Sequence, residues 1–174
     1  MAGAKEGLRQ AVLTEEQGQE VKKILKDLRR KAQLSLVILL DVSGQSIVHA
    51  ARSRKAVRNA VSALIAGNFA ASAELSKLVG ETMFRCLFHE GEKVSVYACK
   101  VGEGFILLTV FPSEVRFGLV KLYTTQSIRK LEEVLKDVGV EPEEPEEAEG
   151  EEEGSFEDEL DMLLEQFKRE FSID

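Results

Sequence analysis

The sequence predicts an α+β domain in the order α-β-β-α-β-β-β-α, built on one five-stranded antiparallel sheet. Three observations carry this expectation: apolar residues recur at helical spacing in three separate stretches, five short apolar or alternating runs lie between them, and Gly-containing turns divide those runs. A chain of 174 residues, 44% hydrophobic and 31% charged, suits one domain with an appendage and has enough apolar material for a core.

Thr14 followed by Gln17 has capping-box form, and Val21, Ile24, Leu25 and Leu28 then mark one face of a first helix ending near Lys31. Residues 36–40 are an unbroken apolar run, stopped by Asp41, Ser43 and Gly44 and followed by 46–50, which reads as a buried strand, a tight turn and a second strand. Residues 53–79 are helical in pattern, with Val57, Val61, Leu64, Ile65, Leu75 and Leu78 as core candidates and Gly80 as the stop. Three strands follow at 83–89, 93–101 and 104–111, separated by turns at 90–92 and 102–103. Pro112 and Ser113 then open a last helix carrying Leu119, Val120, Leu122, Tyr123, Leu131, Val134 and Leu135, with Gly139 as its cap. The first and last helices can cover one face of the sheet, which sends the central helix to the other face or to a partner.

This domain spans 14–140, after an N-terminal extension at 1–13. Residues 141–154 are almost all Glu, Pro and Gly, a composition that predicts a self-repelling flexible linker. Residues 155–174 then predict an amphipathic C-terminal helix whose stripe of Leu160, Leu163, Leu164, Phe167 and Phe171 needs a docking surface. The net charge of −8 hides a division, because residues 1–140 carry 21 basic and 15 acidic side chains while 141–174 carry 2 and 16. The body is therefore mildly basic. With no Trp and no nucleic-acid-binding signature around the basic residues, nucleic acid is not the expected partner. No uncharged segment approaches the roughly 20 residues of a membrane span, and the N-terminus lacks an apolar export signal, so a cytosolic protein is expected. Cys86 and Cys99 read as small buried thiols rather than a disulfide.

Catalytic chemistry is thin. His49 and His89 each sit at a strand end without the partners that metal ligation or nucleophilic catalysis requires, and the glycines are spaced as turns and helix stops, not as a phosphate cradle. No cofactor, metal or catalytic residue is expected, and an enzyme of unrecognised type would need a pocket holding one of the two histidines. The informative segment is 62–73, where Ala63, Ala66, Gly67, Ala70 and Ala73 line a helix at three- and four-residue spacings and permit close approach of another backbone. The same stripe could instead pack tightly on the sheet.

With the segments LIAGNFAA at 64–71, LSKLVGE at 75–81, FHEGEK at 88–93 and FGLVKL at 117–122, the sequence resembles the roadblock / dynein light chain family, and within it the bacterial MglB-like members. The likeness runs from about residue 11 to 138, and such members also tend to end in a short acidic, leucine-containing helix. It implies a homodimer whose sheets join edge to edge and whose central helices form a platform for a Ras-like small GTPase of the MglA type. Ala63, Ala66, Gly67, Ala70 and Ala73 would be the GTPase contact, with the terminal helix docking on the GTPase elsewhere. It further implies a non-enzymatic activator in cell polarity or gliding motility, concentrated at a cell pole, that repositions the GTPase's own catalytic arginine and glutamine. A dimeric scaffold that leaves the nucleotide cycle untouched is the alternative. One departure stands out: Arg52, Arg54, Lys55 and Arg58 crowd the start of the central helix, where MglB-like proteins more often have polar or acidic residues and where cations oppose the helix dipole.

Overall fold

The computed structural model describes residues 13–51 and 53–138. Arg52, Gly139, the acidic stretch 141–154 and the terminal residues Leu160, Leu163, Leu164, Phe167 and Phe171 lie outside the described residues, as does 1–12.

Helix α1, Glu15–Lys31, starts as its capping residues dictate: the Thr14 hydroxyl accepts from Gln17 N at 3.2 Å, and Gln17 Oε1 accepts from Thr14 N at 3.0 Å. Glu15 and Glu16 in its first turn and Arg29, Arg30 and Lys31 in its last complement the helix dipole. Strands β1, Leu36–Asp41, and β2, Ser46–Ala50, form a hairpin whose turn is held by Asp41; its carboxylate accepts from Ser43 Oγ at 2.6 Å and Gln45 N at 2.9 Å. Helix α2, Lys55–Val79, ends at left-handed Gly80. Strands β3, Cys86–His89, β4, Val94–Val101, and β5, Phe105–Pro112, make a meander, and α3, Phe117–Leu135, closes the domain.

The five strands pair antiparallel in the order β2-β1-β5-β4-β3. Side chains alternate across a strand, so Val37, Leu39, Tyr97, Cys99 and Leu107 pack beneath α1 and α3 while Leu36, Ile38, Leu40, Ala98, Ile106 and Leu108 pack beneath α2. A sheet covered on both faces explains why β1 and β5 are continuous apolar runs. The expected topology and division of helices between faces are the observed ones.

Details differ. The third strand begins at Cys86 instead of residue 83, and Met83 is exposed. The last helix begins at Phe117, with Arg116 as N-cap, because Pro112 still belongs to β5 and accepts from Val115 N in an intervening turn. It is capped by Lys136, and its Leu122 is exposed, not core. On α2 the buried face runs through Val57, Ser62, Ile65, Ala66, Phe69 and Ser76, which turns Leu64, Leu75 and Leu78 out of the core.

Candidate partner-binding site

Helix α2 is apolar on two sides. The inner side meets the sheet through Ile65 and Phe69. On the outer side Leu64, Gly67, Ala71, Leu75 and Leu78 recur at three- and four-residue spacings, and all are exposed. Leu64 is 53% exposed, Leu75 50%, Leu78 84% and Val79 59%. Large apolar residues on one exposed helix face, interspersed with small ones, mark a contact surface more than a solvated one.

The small residues divide between the two sides. Ala63, Gly67, Ala70 and Ala73 are exposed, whereas Ala66 is turned to the sheet at 9% exposure. Gly44 in the β1–β2 turn explains the inner part: it has φ +95°, and a Cβ built on it would lie 2.9 Å from Ala63 Cα and 3.3 Å from Ala66 Cβ. The hairpin turn thus rests against α2 at Ala63 and Ala66, and the missing side chain of Gly44 is what permits the approach. Leu64, Ala71, Leu75 and Leu78 were not singled out as surface residues by sequence pattern. The signal was present, since Leu64 and Ile65 are consecutive and cannot both point at the centre of one buried face.

Two sheet edges flank this surface. Strand β2 lies under α1, its Ile47 and Val48 packed against the core on that side. Strand β3 is the other edge, with no strand beyond it among the described residues and with Cys86, Phe88 and His89 exposed. Phe88 stacks on Phe117 with ring centroids 4.1 Å apart and meets Tyr97 edge-on at 6.4 Å. The N-terminal end of α2 is basic: Arg54, Lys55 and Arg58 crowd it, no side chain caps it, and the Arg58 guanidinium donates to the Ser53 carbonyl. Burial first, then the positive charges of Arg58 and Lys22, hold the His49 imidazole below its ordinary pKa of 6.5.

The histidines do not come together, because His49 lies on one edge strand and His89 on the other. An open depression of about 650 Å³ is lined by Glu20, Lys23, Lys26, Asp27, Arg30 and Lys130 and holds neither histidine. Its charges pair locally, Asp27 with Arg30 at 2.9 Å and Lys31 at 2.8 Å, as on an ordinary solvated helix face. Among the described residues no group of three or more His, Cys, Asp or Glu could hold a metal ion, and no helix is long and apolar enough to cross a membrane.

The cysteines correct the sequence expectation. Cys86 and Cys99 are directly opposite in the β3–β4 ladder, with Cα atoms 4.1 Å apart, and form a disulfide. Neighbouring Lys100 N donates to Arg85 O, which makes Cys86–Cys99 the adjoining narrow, non-hydrogen-bonded pair, where side chains approach most closely. Cys86 is exposed and Cys99 is 1% exposed. Two cysteines 13 apart on separate strands give no local hint of this register before the meander is known.

The Roadblock/LC7 domain family matches residues 20–111. Among solved structures, Myxococcus xanthus MglB is 31% identical, with 68% of this chain and 97% of that one covered and a TM-score of 0.65. The gliding protein MglB from Thermus thermophilus is 26% identical, covering 73% and 96%, with a TM-score of 0.67. A structure described as MglB with tetrameric arrangement is also 26% identical, covering 72% and 95%, with a TM-score of 0.67. No curated protein sequence matches the chain.

Proposed function

This chain belongs to the Roadblock/LC7 domain family, and from that premise we propose that it is a homodimeric, non-enzymatic activator of a bacterial Ras-like small GTPase of the MglA type, in cell polarity or motility. The observation that carries the reading is the outer face of α2, apolar through Leu64, Leu75 and Leu78 and left uncovered by the other described residues. Beside it lies the open β3 edge, a row of unpaired backbone groups suited to extending the sheet into a second copy. Pairing there would bring two α2 helices alongside, with the leucines between them and Ala63, Gly67 and Ala70 left as a flat platform. Likeness to MglB structures supports the partner class.

Activation works by positioning. A trans arginine finger contributes roughly 10³- to 10⁵-fold in Ras-type systems, but the MglB-like resemblance implies that this dimer instead holds the GTPase's own arginine and glutamine in place. Arg58 is engaged with the Ser53 carbonyl and Arg116 is the N-cap of α3, roles compatible with structural use. The test is alanine substitution of Arg52, Arg54, Arg58 and Arg116, one at a time. Stimulated hydrolysis at saturating dimer should persist in each; loss of hydrolysis with binding intact in any one would give that arginine the catalytic role. The C-terminal residues Leu160, Leu163, Leu164, Phe167 and Phe171 add a second contact to the same GTPase, tethered through the acidic linker so that it acts at high effective concentration.

A further inference from the structure

We propose that the Cys86–Cys99 cystine is a reversible thiol–disulfide exchange site, at which a small-molecule thiol attacks the Cys86 sulfur and thereby releases the edge strand β3. The two half-cystines differ sharply in access. Cys99 is buried among apolar residues beneath α1 and α3, whereas Cys86 lies at the uncovered rim of that same face. The Cys86 side of the bond is therefore the side from which a reductant in solution can approach. Disulfides exposed in this way are the exchangeable ones, because the rate of exchange depends on access to the sulfur attacked.

The chemistry balances without a cofactor. A thiolate bonds to Cys86 Sγ as the Cys86–Cys99 bond breaks, and the electron pair leaves on Cys99 Sγ, which takes up a proton. A second thiol then attacks the mixed disulfide, giving a free Cys86 thiol and the oxidised small-molecule disulfide. Two electrons pass from two thiols to the cystine. Reoxidation runs the same steps backward and needs no search by the chain, since β3–β4 pairing already sets the two Cα atoms 4.1 Å apart.

Release of β3 follows from how little else holds it. The strand is four residues long and, among the described residues of one chain, pairs only with β4. Besides the disulfide, its anchors are two side chains: Leu87, half-buried against the α2-side core, and Phe88, packed against the rings of Phe117, Tyr97 and Phe111. A four-residue strand with one strand neighbour and two side-chain anchors belongs to the part of a fold that opens at low free-energy cost. Backbone pairing at the open edge lies in the plane of the sheet and leaves the Cys86 side chain on its face, so attack does not require that edge to be free. The further consequence, weaker self-association of the reduced chain, rests on the proposed dimer.

The test uses the full chain in reduced and oxidised glutathione buffers, followed by intact mass and by amide hydrogen exchange. The wild-type cystine should open and re-form with the buffer's poise, and amides of Cys86–His89 should exchange roughly tenfold faster when it is open, with β1 and β5 unchanged. Cys99→Ser should trap a glutathione adduct on Cys86, and Cys86→Ser should be modified at Cys99 roughly tenfold more slowly. A cystine that stays closed at reducing poise, two thiols that never pair at oxidising poise, or equal modification of the two variants would overturn the proposal; the first two readings use wild-type protein and do not depend on variant folding. Light scattering in both buffers separates the two inferences: exchange with a monomer in each state would remove the dimer and leave the exchange site standing.

Discussion

At the scale of single residues, His49 and the cystine show how environment overrides residue type. His49 sits between the cations Lys22 and Arg58 and is partly buried, so the folded chain favours the neutral imidazole. Its folded pKa is below the unfolded value of 6.5, so the stability it confers is present above pH 6.5 and is lost as pH falls toward the depressed folded value. Denaturation midpoints measured between pH 7.5 and 5 should therefore decline, and His49→Gln should flatten that decline; an unchanged slope in the variant would assign it to other groups. The cystine closes a loop with 13 residues of sequence separation, for which chain entropy gives about 3 kcal/mol. Urea unfolding of the Cys86→Ser, Cys99→Ser double variant should accordingly show a loss of up to about that size against the oxidised wild type. Composition favours two buried thiols, and the disulfide becomes legible only from the β3–β4 register that sets Cys86 opposite Cys99.

At the scale of elements, α2 decides what was legible. Helix α1 could be read to its first hydrogen bond, since Thr14 and Gln17 carry their capping roles in their identities and Val21, Ile24, Leu25 and Leu28 mark a single face. Strands β1 and β5 were equally plain as apolar runs. A 25-residue helix with Leu64, Ile65, Phe69, Leu75 and Leu78 distributed around it offers no unique buried face to sequence pattern, and only the sheet beneath chooses Ile65 and Phe69 over the leucines. The start of α3 differs because Pro112, which suits the first turn of a helix, instead ends the central strand β5, beyond its pairing with β1 and opposite Val94 of β4. Gly44→Ala should cost about 1 to 3 kcal/mol in denaturant unfolding, because it combines a positive φ with contact at 2.9 Å from the Ala63 backbone. On the outer face, Gly67→Arg and Ala70→Arg leave the sheet contacts alone and should weaken GTPase binding by about one to two decades, equivalent to 1 to 3 kcal/mol of overpacking. Ala66→Arg, by contrast, should unfold the helix from the sheet, since Ala66 is buried there.

At the scale of the whole molecule, the β3 edge and the outer α2 face, both without a partner among the described residues, make this chain one half of the proposed homodimer. Light scattering at micromolar concentration should return twice the chain mass of 19.3 kDa, and Leu75→Glu with Leu78→Glu should return the monomer. Truncation after Gly139 removes most of the acidic charge and the terminal stripe; it should weaken GTPase affinity or slow nucleotide release, and full-length binding should fall with added salt while the truncated protein responds less. The measurement that bears most directly on the central claim is single-turnover GTP hydrolysis by an MglA-type GTPase with this chain added to saturation. Dimeric full-length protein should raise the rate well above the intrinsic one, and Ala70→Arg, while remaining dimeric, should need about ten- to a hundredfold more protein to reach the same rate. Stable binding with an unchanged hydrolysis rate would contradict activation and leave a scaffold of the same fold.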